Sequence, residues 1–359
     1  MRRRAFLAAS AAAGCLALGP GRLRAATAFD PTPGPWHGHA VTTRLTLPDG
    51  ATQAWLPLPS LDAPAWIEAD GDTWTSNAAT VEIVTTAAGT RILHATFAPG
   101  AAGTEIAATS RFRLRDRDGS EAGAPAPLSD AARATYLAAT AFIPTDGIVR
   151  ETADRIVAGL DDDEARARAI YAWVVDHTER TADTRGCGTG DVRAMLAADR
   201  PGGKCADINA LFVALARASG VPARDLYGIR VAPSRFGYKS LGANAETITK
   251  AQHCRAEVWL DGKGWVPGDP ADVRKVVLEE PPGNNAVDSD RVLAARDTLF
   301  GAWEGNWLAY NDDHDITLPG STHEVAFLMY PQAEVAGRLL DCLDADAFAY
   351  TITSRPIEA

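Results

Sequence analysis

Residues 202–212 read GGKCADINALF, in which two glycines and a cysteine run directly into a helical pattern. The pattern predicts a helix that begins near Cys205 and ends before Gly220, because glycine stops helices and Pro222 prevents the helix from resuming. One face of this helix is marked by apolar residues at positions i, i+3, i+4 and i+7: Ile208, Leu211, Phe212 and Leu215.

Cys205 occupies the first turn of this predicted helix. Unpaired N–H groups and the positive end of the helix dipole stabilise a thiolate there and lower the pKa of the thiol. Gly202 and Gly203 allow a substrate to approach the backbone closely. The sequence therefore predicts that Cys205 is a nucleophile, and the competing interpretation is a structural cysteine.

Residues 252–260 read QHCRAEVWL and alternate in period two, which predicts a strand. The face that carries Cys254 is apolar and is expected to pack on the core, so His253 is expected to point outward into a cleft. After a turn, residues 265–270 return as a second strand that ends at Asp269. Cysteine, histidine and aspartate thus follow in the order of a nucleophile, its base and the residue that orients the base.

The register of this hairpin decides whether His253 and Asp269 share a face. A three-residue connection that closes Leu260 against Gly264 makes the two side chains diagonal neighbours on one face. A two-residue turn without a bulge would place them on opposite faces. A triad of these residues therefore requires the three-residue connection.

Four motifs and one helical pattern resemble the transglutaminase-like superfamily, in the broad papain-like sense, over residues 130–275. They are GKCAD at 203–207, ASGVPAR at 218–224, HCRAEVWL at 253–260 and GWVPGDP at 264–270, preceded by AIYAWV at 169–174. The resemblance implies a triad of Cys205, His253 and Asp269 that transfers acyl groups, either to water or to an amine. One position departs from the family, because Arg255 stands where a tryptophan usually follows the catalytic histidine.

The resemblance also implies a cofactor-free mechanism on a protein or peptide substrate. Cys205 would attack an amide carbonyl, His253 would move the proton, and Asp269 would accept the other imidazole N–H. The backbone N–H of Cys205 would supply half of an oxyanion hole. An acidic chain without a basic patch slightly favours hydrolysis of peptide-like bonds, and the alternative is a non-catalytic binding module that keeps the scaffold.

The first 28 residues are typical of a twin-arginine signal peptide, with Arg3 and Arg4 before an Ala/Leu-rich stretch. Cleavage after Ala28 would release a periplasmic or secreted chain that begins at Phe29. A lipoprotein signal that ends at Cys15 is the less favoured alternative, since alanine rather than leucine stands three positions before it.

The chain is acidic, with 35 Lys and Arg against 46 Asp and Glu and a formal net charge of −11. Loss of residues 1–28, which hold five Arg and no acid, would lower this charge to −16. Nucleic acids and anionic membrane surfaces are therefore not expected partners. No further apolar run is long enough to span a bilayer, so the mature chain is expected to be soluble.

Sequence patterns divide the chain into parts beyond the signal peptide. Residues 29–122 show short strand patterns separated by turns, which predicts a β-sandwich-like domain. Residues 130–330 are the predicted transglutaminase-like catalytic domain, and residues 331–359 are a β-rich C-terminal extension. The predicted fold class is α+β, a papain-like or transglutaminase-like domain preceded by a β-sandwich.

Other polar groups give weaker signals. Residues 311–315, NDDHD, space their oxygens as a calcium loop does, but Ile316 replaces the required glycine and a solvated turn is favoured. His314 with Asp315 is an alternative base pair. Residues 185–191, RGCGTGD, predict a Gly-rich loop that either lines the cleft or only connects elements.

Metal and nucleotide sites are not expected. His253 and Cys254 point to opposite faces of one strand, so they do not form a zinc site with Cys205. No Gly-rich phosphate loop stands between a strand and a helix. Cys187 and Cys342 are the one candidate pair for a structural disulfide, and the fold is not expected to depend on disulfides.

Overall fold

The computed structural model describes residues 28–119 and 125–358. Residues 1–27 of the predicted signal peptide, Cys15 among them, and the middle of the segment between the first two predicted domains lie outside the described residues. Within the described ranges, no helix combines the length and the apolar character needed to cross a membrane.

Strands dominate the first described range, and helices enter from residue 130. In chain order the strands are β1 (His37–Thr46), β2 (Ala51–Pro57), β3 (Ile67–Ser76), β4 (Thr80–Thr85), β5 (Arg91–Thr96), β6 (Glu105–Leu114), β7 (Arg117–Asp118), β8 (Glu179–Arg180), β9 (Gly202–Gly203), β10 (Ala223–Arg230), β11 (Gln252–Leu260), β12 (Gly264–Gly268), β13 (Ala302–Trp303), β14 (Trp307–Asn311), β15 (His314–Thr317), β16 (Glu324–Phe327), β17 (Gln332–Val335), β18 (Arg338–Leu339) and β19 (Tyr350–Ile357). The helices are α1 (Asp130–Leu137), α2 (Ile148–Ile156), α3 (Asp163–His177), α4 (Val192–Ala197), α5 (Cys205–Ala218), α6 (Pro270–Glu279) and α7 (Asp290–Thr298), with a 3-10 turn at Lys239–Leu241.

Two sheets pack into a β-sandwich. One has the strand order β19-β1-β6-β3 and the other the order β18-β17-β2-β5-β4. Leu45 and Ile106 of the first sheet share one buried apolar core with Leu56 and Leu93 of the second. Strands from beyond residue 330 therefore complete both N-terminal sheets, and the predicted domain boundaries themselves stay a prediction.

A third sheet, with the order β12-β11-β10-β14, carries α5 on one face. All 14 residues of α5 are buried, which exceeds the single apolar face that the sequence predicted. The reason is that β10 and β11 cover one side of the helix while α2, α3, α4 and α6 contact the rest. The predicted start at Cys205 is confirmed, and Gly220 follows the helix at a φ of 88°.

The predicted hairpin is also present. Leu260 pairs with Gly264, and residues 261–263 form the turn, so of the two possible connections the structure has the three-residue one. In this register Ala256 pairs with Gly268. Because side chains alternate along a strand, the next residue, Asp269, falls on the face that carries His253.

Candidate active site

Cys205 lies at the wall of a cleft of about 720 Å³ that is also lined by His253, Gln252 and Tyr330. Cys205 is 2% exposed, and the described residues give access to its thiol through this cleft. As the first residue of α5, Cys205 has an N–H group without a carbonyl partner inside the helix. The thiol therefore lies beside a backbone donor and the positive end of a helix.

Several groups around Cys205 act on its pKa. Burial raises the pKa, but hydrogen bonding to Cys187, Cys254 and His253 and the positive charge of His253 lower it well below the ordinary value. The net direction is downward, which favours the thiolate. The same hydrogen bonding to Cys205 raises the pKa of Cys187, so one cysteine of the group is ionised in preference to the other.

His253 is held by two carboxylates. Its Nε2 lies 2.8 Å from Asp269 Oδ2 and 3.2 Å from Asp272 Oδ1. Burial and the charge of Arg230 lower the pKa of His253, yet Asp272 and Asp269 outweigh them and raise it to about 9. Because Nε2 faces the carboxylates, Nδ1 is the ring nitrogen left free for a second partner.

Asp269 is the N-cap of α6 and is fully buried. Its Oδ1 accepts the backbone N–H of Asp272 at 3.0 Å and the side-chain amide of Asn209 at 3.2 Å. Asn209 also donates to the carbonyl oxygen of Cys254 at 2.9 Å. Asn209, one turn after Cys205 on α5, thus ties the cysteine helix to the histidine strand and to Asp269.

The sequence reasoning did not identify Asp272, Arg230 or Asn209. Arg230 Nη2 lies 2.5 Å from Asp272 Oδ1, and both side chains are buried. Burial raises the pKa of Asp272, but Arg230 and His253 lower it well below its usual range. The sequence does contain features that indicate two of these residues. Asp272 lies three residues after Asp269 in the first turn of α6, and Asn209 is a polar residue in an apolar helix.

His253 lines the cleft of Cys205, as expected, but the rest of its face on β11 is buried. His253 is 3% exposed, and Glu257 on the same face is fully buried. Arg117 and Arg224 form ion pairs with Glu257, and they cover this end of the strand. Polar alternation in the sequence therefore reflects a buried layer of charged pairs rather than a surface.

The Gly-rich loop at residues 185–191 lines the cleft through its first residues, Arg185 to Cys187. Asp207 of α5 holds the loop, because its Oδ1 accepts the backbone N–H groups of Thr189 at 2.9 Å and Gly190 at 2.7 Å. Cys187 and Cys342, the candidate disulfide pair, are both free thiols. The loop is therefore anchored by a carboxylate.

Residues 311–315 make structural contacts away from the cleft. Asp312 pairs with Arg224 at 2.8 Å, and Asp313 accepts hydrogen bonds from the hydroxyls of Thr86 and Thr90. His314 Nδ1 lies 3.6 Å from Asp315 Oδ2, but neither residue lines the cleft of Cys205. The structure thus does not bring this alternative base pair to the nucleophile.

One group of described residues has metal-ligand chemistry. Ligand-type atoms of His253, Asp269 and Asp272 lie within 4.8 Å of one another. Arg230 already supplies a positive charge to Asp272 at 2.5 Å, and His253 itself has a raised pKa. A divalent cation would have to enter beside these two positive groups, so the arrangement fits a protonated imidazole better than a metal.

The expectation that the chain has no basic patch is wrong at the cleft. Six Lys and Arg side chains line it: Arg180, Arg185, Lys204, Arg230, Lys250 and Lys275. These six residues come from separate parts of the chain, so they do not form a run of basic residues that would predict the patch from the sequence.

A comparison with protein families covers the part of the chain that holds this site. The family model described as transglutaminase-like superfamily matches residues 150–270, which contain Cys205, His253 and Asp269. This part of the chain is thus a transglutaminase-like superfamily domain. The match supports cysteine-based catalysis at the level of the family.

Two solved structures were compared with this chain, and the comparison concerns the fold alone. A cysteine protease candidate from Cytophaga hutchinsonii superposes with a TM-score of 0.50 at 13% identity, over 90% of this chain and 99% of that chain. The periplasmic domain of TgpA from Pseudomonas aeruginosa gives a TM-score of 0.36 at 16% identity, over 67% and 88% of the two chains. At such identities only the fold is shared, and only the first superposition is close enough to support that.

One relative is similar in sequence. An uncharacterized protein of Haemophilus influenzae is 40% identical over 232 residues, which are 62% of this chain and 62% of that protein. The chain thus matches less than two thirds of that relative's length.

Arg255 stands where the superfamily usually has a tryptophan. Its guanidinium lies 4.9 Å from the ring centroids of both Trp303 and Trp307, and its Nε lies 3.7 Å from Asp269 Oδ2. Burial lowers the pKa of Arg255 to about 10. Two tryptophans from β13 and β14 therefore stack on this arginine, which adds a positive charge behind Asp269.

Proposed function

We propose that this protein is a cysteine-dependent acyl transferase or hydrolase that acts on amide bonds of a protein or peptide. The observation that supports this most strongly is the contact of 2.8 Å between His253 Nε2 and Asp269 Oδ2 beside a thiol of lowered pKa. A histidine oriented in this way has Nδ1 available for the thiol of Cys205. The pair then rests as thiolate and imidazolium.

The reaction proceeds in two steps. The Cys205 thiolate adds to the amide carbonyl carbon, the C–N bond breaks, and the His253 imidazolium gives its proton to the leaving amine. In the second step water or an amine attacks the thioester, His253 accepts the proton of the attacking group, and the C–S bond breaks. The free thiolate and the imidazolium are then restored, so no external oxidant or cofactor enters the balance.

The tetrahedral intermediates need hydrogen-bond donors for their oxyanion. The backbone N–H of Cys205 is one such donor, because the helix leaves it without an internal partner. For the second donor we assign Gln252 Nε2, a buried amide nitrogen that lines the cleft and has no hydrogen-bond partner among the described residues. Gln252 directly precedes His253, and it shares the strand face of Cys254, against which α5 packs.

A non-catalytic binding module remains the second candidate, and the 2% exposure of Cys205 is the observation in its favour. The two candidates differ in one measurable consequence. A catalytic thiolate reacts with electrophiles at neutral pH, whereas a buried thiol of a binding scaffold does not.

The test uses the purified full chain with a mixed-peptide substrate and a primary amine acceptor. Mass spectrometry of the products reports hydrolysis as a gain of water at an amide and transfer as incorporation of the amine. We expect products from the wild type, none from Cys205→Ser, and none from wild type treated with iodoacetamide. Equal turnover by Cys205→Ser would contradict the proposal, and the ratio of the two products decides between hydrolase and transferase.

A further inference from the structure

The cleft of Cys205 has the opposite charge to the protein as a whole. Its six Lys and Arg residues are accompanied by no Asp or Glu among the described residues that line it, although the chain carries a formal charge of −11. Three nearby carboxylates form ion pairs with three of the six: Glu279 with Arg180, Asp341 with Arg185 and Asp272 with Arg230. Six cations against three partners leave an excess of three positive charges at the cleft.

Lys275 is the most unusual of these cations. It is largely buried, and its Nζ lies 3.7 Å from Glu279 Oε2, beyond hydrogen-bond distance, while Arg180 occupies the other oxygen of that carboxylate at 2.5 Å. Burial and the charge of Arg230 lower the pKa of Lys275, because both destabilise its ammonium form. An anionic ligand bound beside Lys275 would stabilise the ammonium form.

Lys204 lies next to the nucleophile. Its Nζ donates to the carbonyl oxygen of Thr184 at 2.6 Å and has no carboxylate partner among the described residues. Lys250, at the exposed rim of the cleft, likewise has none within the described ranges. These two lysines and Lys275 account for the excess charge. We call the three residues the basic flank.

We propose that the acyl donor carries a carboxylate close to the amide that Cys205 attacks, and that the basic flank binds this carboxylate. The substrate class is therefore acidic peptides rather than neutral glutamine-containing ones. A cleft lined by one sign of charge concentrates ligands of the opposite sign and accelerates their association. This assignment rests on the proposed function, because it concerns the substrate of the same thiol.

Two alkylating reagents of nearly equal size test the assignment without knowledge of the natural peptide. Iodoacetate carries a carboxylate and iodoacetamide does not, and mass spectrometry gives the rate at Cys205 for each. The iodoacetate to iodoacetamide rate ratio, divided by the same ratio for N-acetylcysteine, is expected to reach about 10 at low salt. It is expected to fall as salt increases, because exposed parts of the field are screened.

Variants separate the basic flank from the charge of His253, which also attracts an anion. Lys275→Gln and, to a smaller extent, Lys250→Gln at the exposed rim should lower the ratio, by about threefold or more for Lys275. Lys263→Gln removes an equal charge that pairs with Glu164 outside the cleft, and it should leave the ratio unchanged. Thermal unfolding checks that each variant is folded. If Lys275→Gln does not fold, the rate ratio of Lys250→Gln decides the test.

The outcomes are distinct. A normalised ratio near 1 contradicts the carboxylate assignment, and so does a high ratio that is unchanged in Lys275→Gln and Lys250→Gln. In both cases a reactive Cys205 still agrees with the proposed function. Failure of both reagents to label Cys205 contradicts the proposed function, and the substrate assignment falls with it.

Discussion

Asp269→Asn tests the part of the site that orients His253. Asp269 Oδ1 accepts hydrogen bonds from Asp272 N and Asn209 Nδ2, and an asparagine oxygen can keep both. The other oxygen becomes an NH₂ group that faces His253 Nε2 and can only donate to it. This favours a proton on Nδ1, the nitrogen that has to exchange a proton with Cys205, although Asp272 Oδ1 remains as an acceptor 3.2 Å from Nε2. The variant therefore keeps the fold and favours the other tautomer.

The magnitude follows from the contact of 2.8 Å between His253 Nε2 and Asp269 Oδ2. Two unit charges at this separation interact by about 6 kcal/mol at an effective dielectric constant of about 20. That energy equals about four pH units in the pKa of the imidazole. Asp272, at 3.2 Å, remains and compensates in part, so the pKa of His253 should fall from about 9 by at least about two pH units. Turnover should fall by about 10² to 10⁴.

Nitrogen NMR of histidine-labelled protein measures both quantities, because the two ring nitrogens report the tautomer and their titration reports the pKa. Asp272→Asn is the matched control, since it also removes one carboxylate contact but leaves Asp269 to fix Nε2–H. An unchanged tautomer and pKa in Asp269→Asn, in a protein that melts like the wild type, would refute the role given to Asp269.

Three further predictions follow from other contacts. Gln252→Ala should lower kcat by about 10² to 10³ because an oxyanion donor is lost, while alkylation of Cys205 stays unchanged; equal effects on both would contradict the assignment. Arg230→Met should lower the free energy of unfolding by about 3 to 5 kcal/mol, since buried Asp272 loses its ion-pair partner, and a urea titration showing less than about 1 kcal/mol would contradict this. Turnover should decline as the pH rises through about 9, because His253 loses the proton that the leaving amine needs, and a rate that keeps rising above that pH would argue against His253 as the acid.

Local sequence patterns predict the helix and the hairpin that carry the candidate site. The helix that begins at Cys205 and the hairpin of β11 and β12 are predicted from periodicity and turn residues, because both depend on neighbours in the chain, whereas the length of the hairpin turn is not. The sequence thus states the condition for a triad, and the observed pairing of Leu260 with Gly264 meets it by placing Asp269 on the face of His253.

Long-range contacts account for what the sequence did not provide. Arg230 on β10 meets Asp272 on α6 across 42 residues of chain, and Lys204 joins Lys275 in one cleft only after folding. The polar alternation of β11 does not distinguish a solvent-facing surface from a buried layer of ion pairs, such as Glu257 with Arg224, because both have the same pattern. The pairing of β19 with β1 likewise joins opposite ends of the described chain.

The rate of Cys205 alkylation by iodoacetamide at pH 6, in wild type and in His253→Ala, tests the thiolate–imidazolium pair most directly. We expect the wild type to react at pH 6 nearly as fast as at pH 8, because its thiolate is already formed. His253→Ala should react about 10² times more slowly at pH 6 and should recover at alkaline pH, since the positive charge that lowers the thiol pKa is gone. Equal rates at pH 6 in the two proteins would contradict the account.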